Sequence, residues 1–354
     1  MGEVMEGALG VGVVLWVLND IFQSVVVPRP TPGLRPSTVI ARAGWPLWRA
    51  LGLRRTAVAR DRFLGQFASL LVVGILGVWI AGLILGYGLV LHALRAQLHP
   101  TPVGFGDALY LAAASLLTVG FGDVVAAGPA ARVAAILAAA SGLGAVALSI
   151  SFIFSLFASF QRREALVVTL DERAGAPPSG VQLLETMAHE GLRDDLGGLF
   201  SDWERWSGEV LDTHVSYPVL AYFRSTHDNE SWVSAIGAML DAATLVATTV
   251  DGGPRGSARM LWSAGDHLVE DLARSFGFAA TEDVGIERAE FDAARARLAR
   301  AGYRLREADA SWSAFGEMRA AYATRLNALA RHFATPPSPW VGDRSVLRIA
   351  RPHA

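Results

Sequence analysis

The chain has 354 residues, of which 52% are hydrophobic and 18% charged, with a mean hydropathy of +0.34 and a formal net charge of −2. That is too apolar for an ordinary soluble domain of this length, so part of the chain is expected in lipid. Cysteine is absent, which excludes a disulfide framework and any cysteine-based metal site, and every basic residue is arginine.

Residues 4–27 form a mostly apolar run long enough to cross ~30 Å of hydrocarbon at ~1.5 Å per residue, and are read as a first transmembrane helix. Glu3 and Glu6 stand where a secretory signal would be basic, so no cleavable signal is expected. Asp20, near the far end of the run, is read as an interfacial residue close to Arg29; the alternative is a packing role against the pore helices. Residues 28–62 then carry Arg29, Arg35, Arg42, Arg49, Arg54, Arg55, Arg60 and Arg62 against one acid, Asp61. Such a bias marks a cytoplasmic loop and places the N-terminus outside. Trp45 and Trp48 interleave with these arginines, so residues 37–59 are expected as an interfacial helix with its aromatics at headgroup level. The partner of this segment is anionic lipid rather than nucleic acid, because it lies between two spans.

Residues 63–91 are a second span without formal charge, and Gly74, Gly77, Gly82, Gly86 and Gly88 give it small faces for close helix approach. His92, Arg95 and His99 follow in a short extracellular turret that ends at Pro100 and Pro102. Residues 107–117 are too short to span and too apolar for a loop, which predicts a re-entrant helix capped by Gly106 or Asp107. Its C-terminal, partially negative end would point toward a cation held within the membrane.

The next stretch is Leu117-Thr118-Val119-Gly120-Phe121-Gly122-Asp123. Backbone carbonyls replace a cation's hydration shell only where they all turn toward one axis, and Gly120 and Gly122 supply the unusual backbone angles this needs. Thr118 adds a hydroxyl at the inner end, Val119 and Phe121 are expected to wedge against surrounding protein, and Asp123 marks the outer mouth. Residues 130–160 form the last span, interrupted by Ser141, Gly142 and Gly144, with Arg162 and Arg163 ending it in the cytoplasm. Phe154 and Phe157 lie in its lower part and are candidates for an apolar gate that closes by dewetting.

Residues 165–170 read as a short β-type run and 171–180, with Pro177 and Pro178, as a linker. Helical spacing among many charges returns over 181–250, 257–276, 285–300 and 311–333, a soluble domain with Trp203, Trp206, Tyr217, Tyr222, Phe223 and Trp232 for its core. His189, Glu190, Asp194, Asp195 and Asp202 read as a solvated acidic face in preference to a hard-cation site. Domain limits are accordingly 1–28 (first span), 29–62 (basic segment), 63–160 (pore), 161–180 (linker), 181–335 (helical domain) and 336–354 (tail).

Residues 118–123 resemble the Thr-Val-Gly-Tyr/Phe-Gly-Asp filter signature of potassium channels, and residues 63–160 are similar to their two-transmembrane pore module. The resemblance implies potassium ions as the permeant species at Thr118, Val119, Gly120, Phe121 and Gly122, with Asp123 at the mouth. It also implies a homotetramer, because one filter copy per chain must be repeated around the ion, and it nominates Gly142 as the hinge of the inner helix. No resident cofactor follows from it. The implied fold is an all-α membrane protein: a potassium-channel-like pore of outer helix, re-entrant pore helix, filter and inner helix. An additional N-terminal transmembrane helix precedes that pore, and a mainly helical cytoplasmic domain follows it.

Departures from the family pattern are Leu117 where many members have threonine, Ala114 where one subgroup has glutamate, Phe121 in place of tyrosine, and Tyr110-Leu111 where some have a tryptophan pair. A hydrogen-bonded cuff behind the filter is therefore expected to be replaced largely by packing, with altered inactivation. The resemblance stops near Phe160: no strand precedes a Gly-x-Gly-x-x-Gly, no cyclic-nucleotide roll follows the pore, and no arginine-repeat helix precedes it, so the regulatory ligand stays open. No nucleophile, metal or phosphate motif has useful spacing, so an enzyme is not expected. The competing reading is a receptor or scaffold that keeps the pore fold without conducting.

Overall fold

The structure, a computed structural model, describes residues 2–27, 35–100, 104–225, 230–278 and 286–341. The chain divides into two compact units, residues 1–158 and 159–354. It is an all-α membrane protein: three helices are long and apolar enough to cross a bilayer, namely α1 (Gly2–Val25), α3 (Ala57–Ala93) and α5 (Pro129–Ala174). Arg29 and Pro102 lie outside the described residues.

In the first unit, α1 lies along α3 with almost no side-chain spacer. A Cβ added at Gly10 would sit 2.6 Å from the Gly86 carbonyl oxygen, and one at Gly82 or Gly86 would strike Val17 or Val14 at 2.8 and 2.7 Å. Gly82 and Gly86 thus form a small-xxx-small face, and its partner is the first helix of the same chain. Glu6 and Glu3 at the start of α1 pair with His92 (2.7 Å) and Arg95 (2.5 Å), so these turret residues are tied to the first helix.

Between the two spans, α2 (Pro36–Leu53) begins with proline in its first turn, as its fixed φ favours. Its tryptophans pack on the start of α3. Trp45 is buried edge-on against Phe67, and Trp48 stacks on Phe63 at 4.3 Å and donates to the Phe63 carbonyl. The ring faces are better covered by aromatic carbon than by water, while Val39, Leu47 and Leu51 take the outward positions. Because α3 starts at Ala57, Arg60 and Arg62 belong to its first turns and not to a loop.

The short helix α4 (Phe105–Leu116) is about 18 Å long, far less than a bilayer. It is seated by Gly88, where a Cβ would lie 2.8 Å from Leu109. Two-residue strands β1 (Leu98–His99) and β2 (Val125–Ala126) pair antiparallel, Leu98 with Ala126 and His99 with Val125. The Gln97 side chain then accepts from the Ala130 and Ala131 N–H groups at 3.0 and 3.2 Å and caps α5 from a distance.

Helix α5 does not stop near residue 160. It continues through 165–170, so the β-type reading of Val167, Val168 and Thr169 is overturned: Val167, Leu170 and Ala174 are buried at helical spacing, and packing overrides β propensity. The linker shortens to the turn before α6. Nor is Arg163 a solvated helix end. It is 2% exposed, donates to the carbonyls of Leu220 (2.9 Å) and Phe223 (2.7 Å), and pairs with Glu164 at 2.9 Å.

The second unit is built around α8 (Trp232–Thr248), every residue of which is buried. An apolar helix covered on all sides needs no membrane. Around it stand α6 (Gly180–His189), α7 (Leu196–Ser216), α9 (Arg255–Ser275), α10 (Arg288–Arg300) and α11 (Ala308–Phe333). Gly180 and Gly265 let α6 and α9 close on α8, with built Cβ atoms 2.5 Å from the Ala238 oxygen and 2.7 Å from Leu240. Asp241 of α8 accepts from Arg319 at 3.0 Å and Tyr322 at 2.6 Å of α11, a second buried ion pair in this unit. Gly285 and the tail beyond residue 341 lie outside the described residues.

Candidate functional site: the loop between α4 and α5

The site starts where α4 ends. Its start is capped at Gly104, whose N–H donates to the Asp107 carboxylate at 3.0 Å, so Asp107 acts from the third helical position and Gly106 is already inside the helix. At its C-terminus the Leu117 N–H reaches the Ala113 oxygen, Thr118 reaches Ser115 and Val119 reaches Ala114, the last at 2.8 Å. These bonds turn the chain sharply out of the helix.

Within 118–122 the backbone alternates in hand. Thr118, Gly120 and Gly122 have φ of +56°, +65° and +81°, while Val119 and Phe121 between them are not in the left-handed region. Such an alternation in the sign of φ is the backbone freedom a loop needs if its successive carbonyls are to turn to one side. Glycine takes φ > 0 freely, but Thr118 does so against the contact between Cβ and backbone, a strained conformation for a β-branched residue.

Asp123 is joined to the pore helix: the Tyr110 hydroxyl donates to its Oδ1 at 3.0 Å. Packing was expected largely to replace hydrogen bonds behind this loop; the Tyr110 hydroxyl supplies one such bond. The wedge expected of Val119 and Phe121 is not formed within one chain; their side chains are 47% and 75% exposed.

Gly142 lies on α5 directly behind this turn. A Cβ there would be 1.9 Å from the Leu116 carbonyl oxygen, so the main chain of the inner helix touches the last residue of the pore helix. Beside it, the Tyr87 hydroxyl of α3 meets Ser141 at 2.7 Å and donates to the Leu137 carbonyl at 3.2 Å. Lower on α5, Phe154 and Phe157 are 72% and 49% exposed, while Phe152 and Leu156 face inward. Among the described residues, no cluster of histidine and acidic side chains could hold a metal ion, so His189, Glu190, Asp194, Asp195 and Asp202 form no such site.

Of the two readings of Asp20 the packing role holds: the side chain is fully buried and accepts from Ser37 of α2 and Trp79 of α3, partners that the sequence did not name. Its only signal was an acid inside an apolar run.

Fold and site together define a membrane protein with an outer helix, a half-crossing helix, a filter-like loop and an inner helix. Residues 71–159 match the family described as "Ion channel", which supports a channel function in general. The chain is also similar to an uncharacterized membrane protein, YdjJ, of Bacillus subtilis (strain 168), at 21% identity over 203 residues. That match spans 56% of this chain and 58% of the relative's length. No solved structure matches the chain.

Proposed function

We propose that the protein is a potassium-selective channel of four identical chains, conducting passively along the carbonyls of Thr118 to Gly122. The observation that carries this reading is the alternation of backbone hand at Thr118, Gly120 and Gly122 in a loop that ends a half-crossing helix. A single copy offers ions one side of a conduit, and the uncovered Val119 and Phe121 leave apolar surface for neighbouring copies. The inner helix supports the same assembly: residues 133, 140, 147 and 154 and residues 136, 143, 150 and 157 are all exposed on α5, a stripe of 3.5-residue period suited to packing between helices. Phe154 and Phe157 end that stripe and form the lower gate; Asp123 sits at the outer mouth. Gly142 combines a close contact with the role of hinge.

In this reading the N-terminus lies outside, the basic segment rests on anionic cytoplasmic lipid, and the second unit is cytoplasmic and regulates opening. The protein carries no resident cofactor and performs no catalysis. The test is ion flux in vesicles, with reversal potential measured in mixed potassium and sodium. A barium-blocked, potassium-selective flux that Gly120→Val abolishes without loss of insertion is the expected result. Equal sodium permeability removes selectivity from the proposal, and absence of flux in every condition favours a non-conducting scaffold.

A further inference from the structure

Asp20 holds four hydrogen bonds from three helices. Its Oδ1 accepts from the Ser37 hydroxyl at 2.6 Å and the Ser24 hydroxyl at 3.3 Å; its Oδ2 accepts from the Ser37 N–H and the Trp79 indole, each at 2.9 Å. A carboxylate without water is tolerated only when its oxygens are satisfied in this way. The charge also stands at the first turn of α2, where free N–H groups and the helix dipole favour an anion. Asp20 therefore fixes the N-terminal end of α2, while Trp48 on Phe63 and the Arg55 guanidinium 4.0 Å over the same ring fix the other end.

The same carboxylate is one residue away from the inner helix. Trp79, held by Asp20, lies with its ring centroid 6.1 Å from that of Phe152 on α5, in the turn that presents Phe154 on its opposite side. The outward face of α2 mixes exposed Val39, Leu47 and Leu51 with exposed Arg42 and is followed by exposed Arg54 and Arg55. That combination suits neither water nor hydrocarbon alone but the boundary of an anionic membrane.

We propose that Asp20 is a positioning residue that couples α2 to the inner helix through Trp79 and Phe152, so that anionic headgroups gripping Arg42 of α2 and Arg54 and Arg55 just after it set how readily the lower gate opens. The inference rests on the channel reading above and names the regulation of that gate.

The full-length protein, reconstituted in vesicles of phosphatidylcholine with or without phosphatidylglycerol, tests it. Wild-type potassium flux rises about fivefold with the anionic lipid, the size of one arginine's attraction to such a surface. Asp20→Ala gives equal flux in both vesicle types, and Trp79→Phe, which keeps the ring against Phe152 but loses the donor, retains flux with a reduced response. If Asp20→Ala fails to fold, Trp79→Phe decides. A full lipid response in Trp79→Phe or Asp20→Ala overturns the coupling, and a wild type indifferent to lipid overturns the regulation. Equal stimulation by free inorganic phosphate overturns the assignment to a membrane surface. A wild type without flux in any vesicle removes the channel reading itself, and this inference with it.

Discussion

Replacing Gly142 by alanine separates two roles that the inner-helix glycine can play. A methyl group there would meet the Leu116 carbonyl oxygen at 1.9 Å and its carbon at 2.7 Å. Ordinary carbon–oxygen contact begins near 3.3 Å, so α4 and α5 must part by about 1.4 Å. The obstructing atoms are main chain at a helix end, not the tip of a flexible side chain. Overpacking a rigid contact costs about 1–3 kcal/mol, and a displacement of this size belongs at the upper end. Against this, alanine is favoured over glycine inside a helix by ~1 kcal/mol, leaving a net loss of about 2 kcal/mol. Gly144, two residues on, has nothing within 4 Å of its built Cβ, so Gly144→Ala keeps the helical gain of ~1 kcal/mol. The two variants should therefore move the melting midpoint of the detergent-solubilised protein in opposite directions, with flux falling in Gly142→Ala because Leu116 leads directly into the loop proposed as the filter. If both raise the midpoint while Gly142→Ala alone slows opening, the contact is unimportant and the position is a hinge.

Two further tests address the second unit. His214 is buried, donating from Nδ1 to the Val210 carbonyl and accepting at Nε2 from Arg163 at 3.1 Å. Burial first, then the Arg163 charge, hold its pKa well below the ordinary 6.5. The unfolded chain thus takes up a proton below pH 6.5 that the folded chain refuses, and stability should fall by ~1.4 kcal/mol per pH unit there. Thermal melting across this range should show a shallower slope in His214→Gln; an unchanged slope refutes the assignment. Asp241→Ala strands the Arg319 guanidinium in the core and should lower stability by about 3–5 kcal/mol, whereas Asp241→Leu combined with Arg319→Met should recover most of it. Equal melting midpoints for the single and double variants would show that the stranded charge is not the cause.

The order of elements in the first unit was legible because each carries a local signature: apolar length for α1 and α3, insufficient length for α4, and glycines at alternate positions in the loop after it. What stayed hidden depends on residues far apart. Nothing near Asp20 announces Ser37 or Trp79, and Tyr110 gives no local sign that its hydroxyl ends on Asp123. Residues 165–170 were misread for a different reason. Val167, Val168 and Thr169 favour extended chain, and only the burial of Val167, Leu170 and Ala174 on one face makes them helical. The same limit applied to Arg163, since a basic residue after an apolar span resembles any cytoplasmic anchor until its carbonyl partners fold around it. For Trp45 and Trp48 the residue type was informative but the direction was not: an amphipathic helix has two sides, and the rings chose the protein.

The seating of α1 on α3 has a bearing on how the protein is made. Gly10, Val14 and Val17 meet Gly82 and Gly86 through main chain and small side chains, all of them within α1 and α3. A nascent chain that has released only its first two spans into the bilayer already holds these glycines and valines. The helical pair can therefore form during synthesis, giving the half-crossing helix a finished wall to settle against when it arrives.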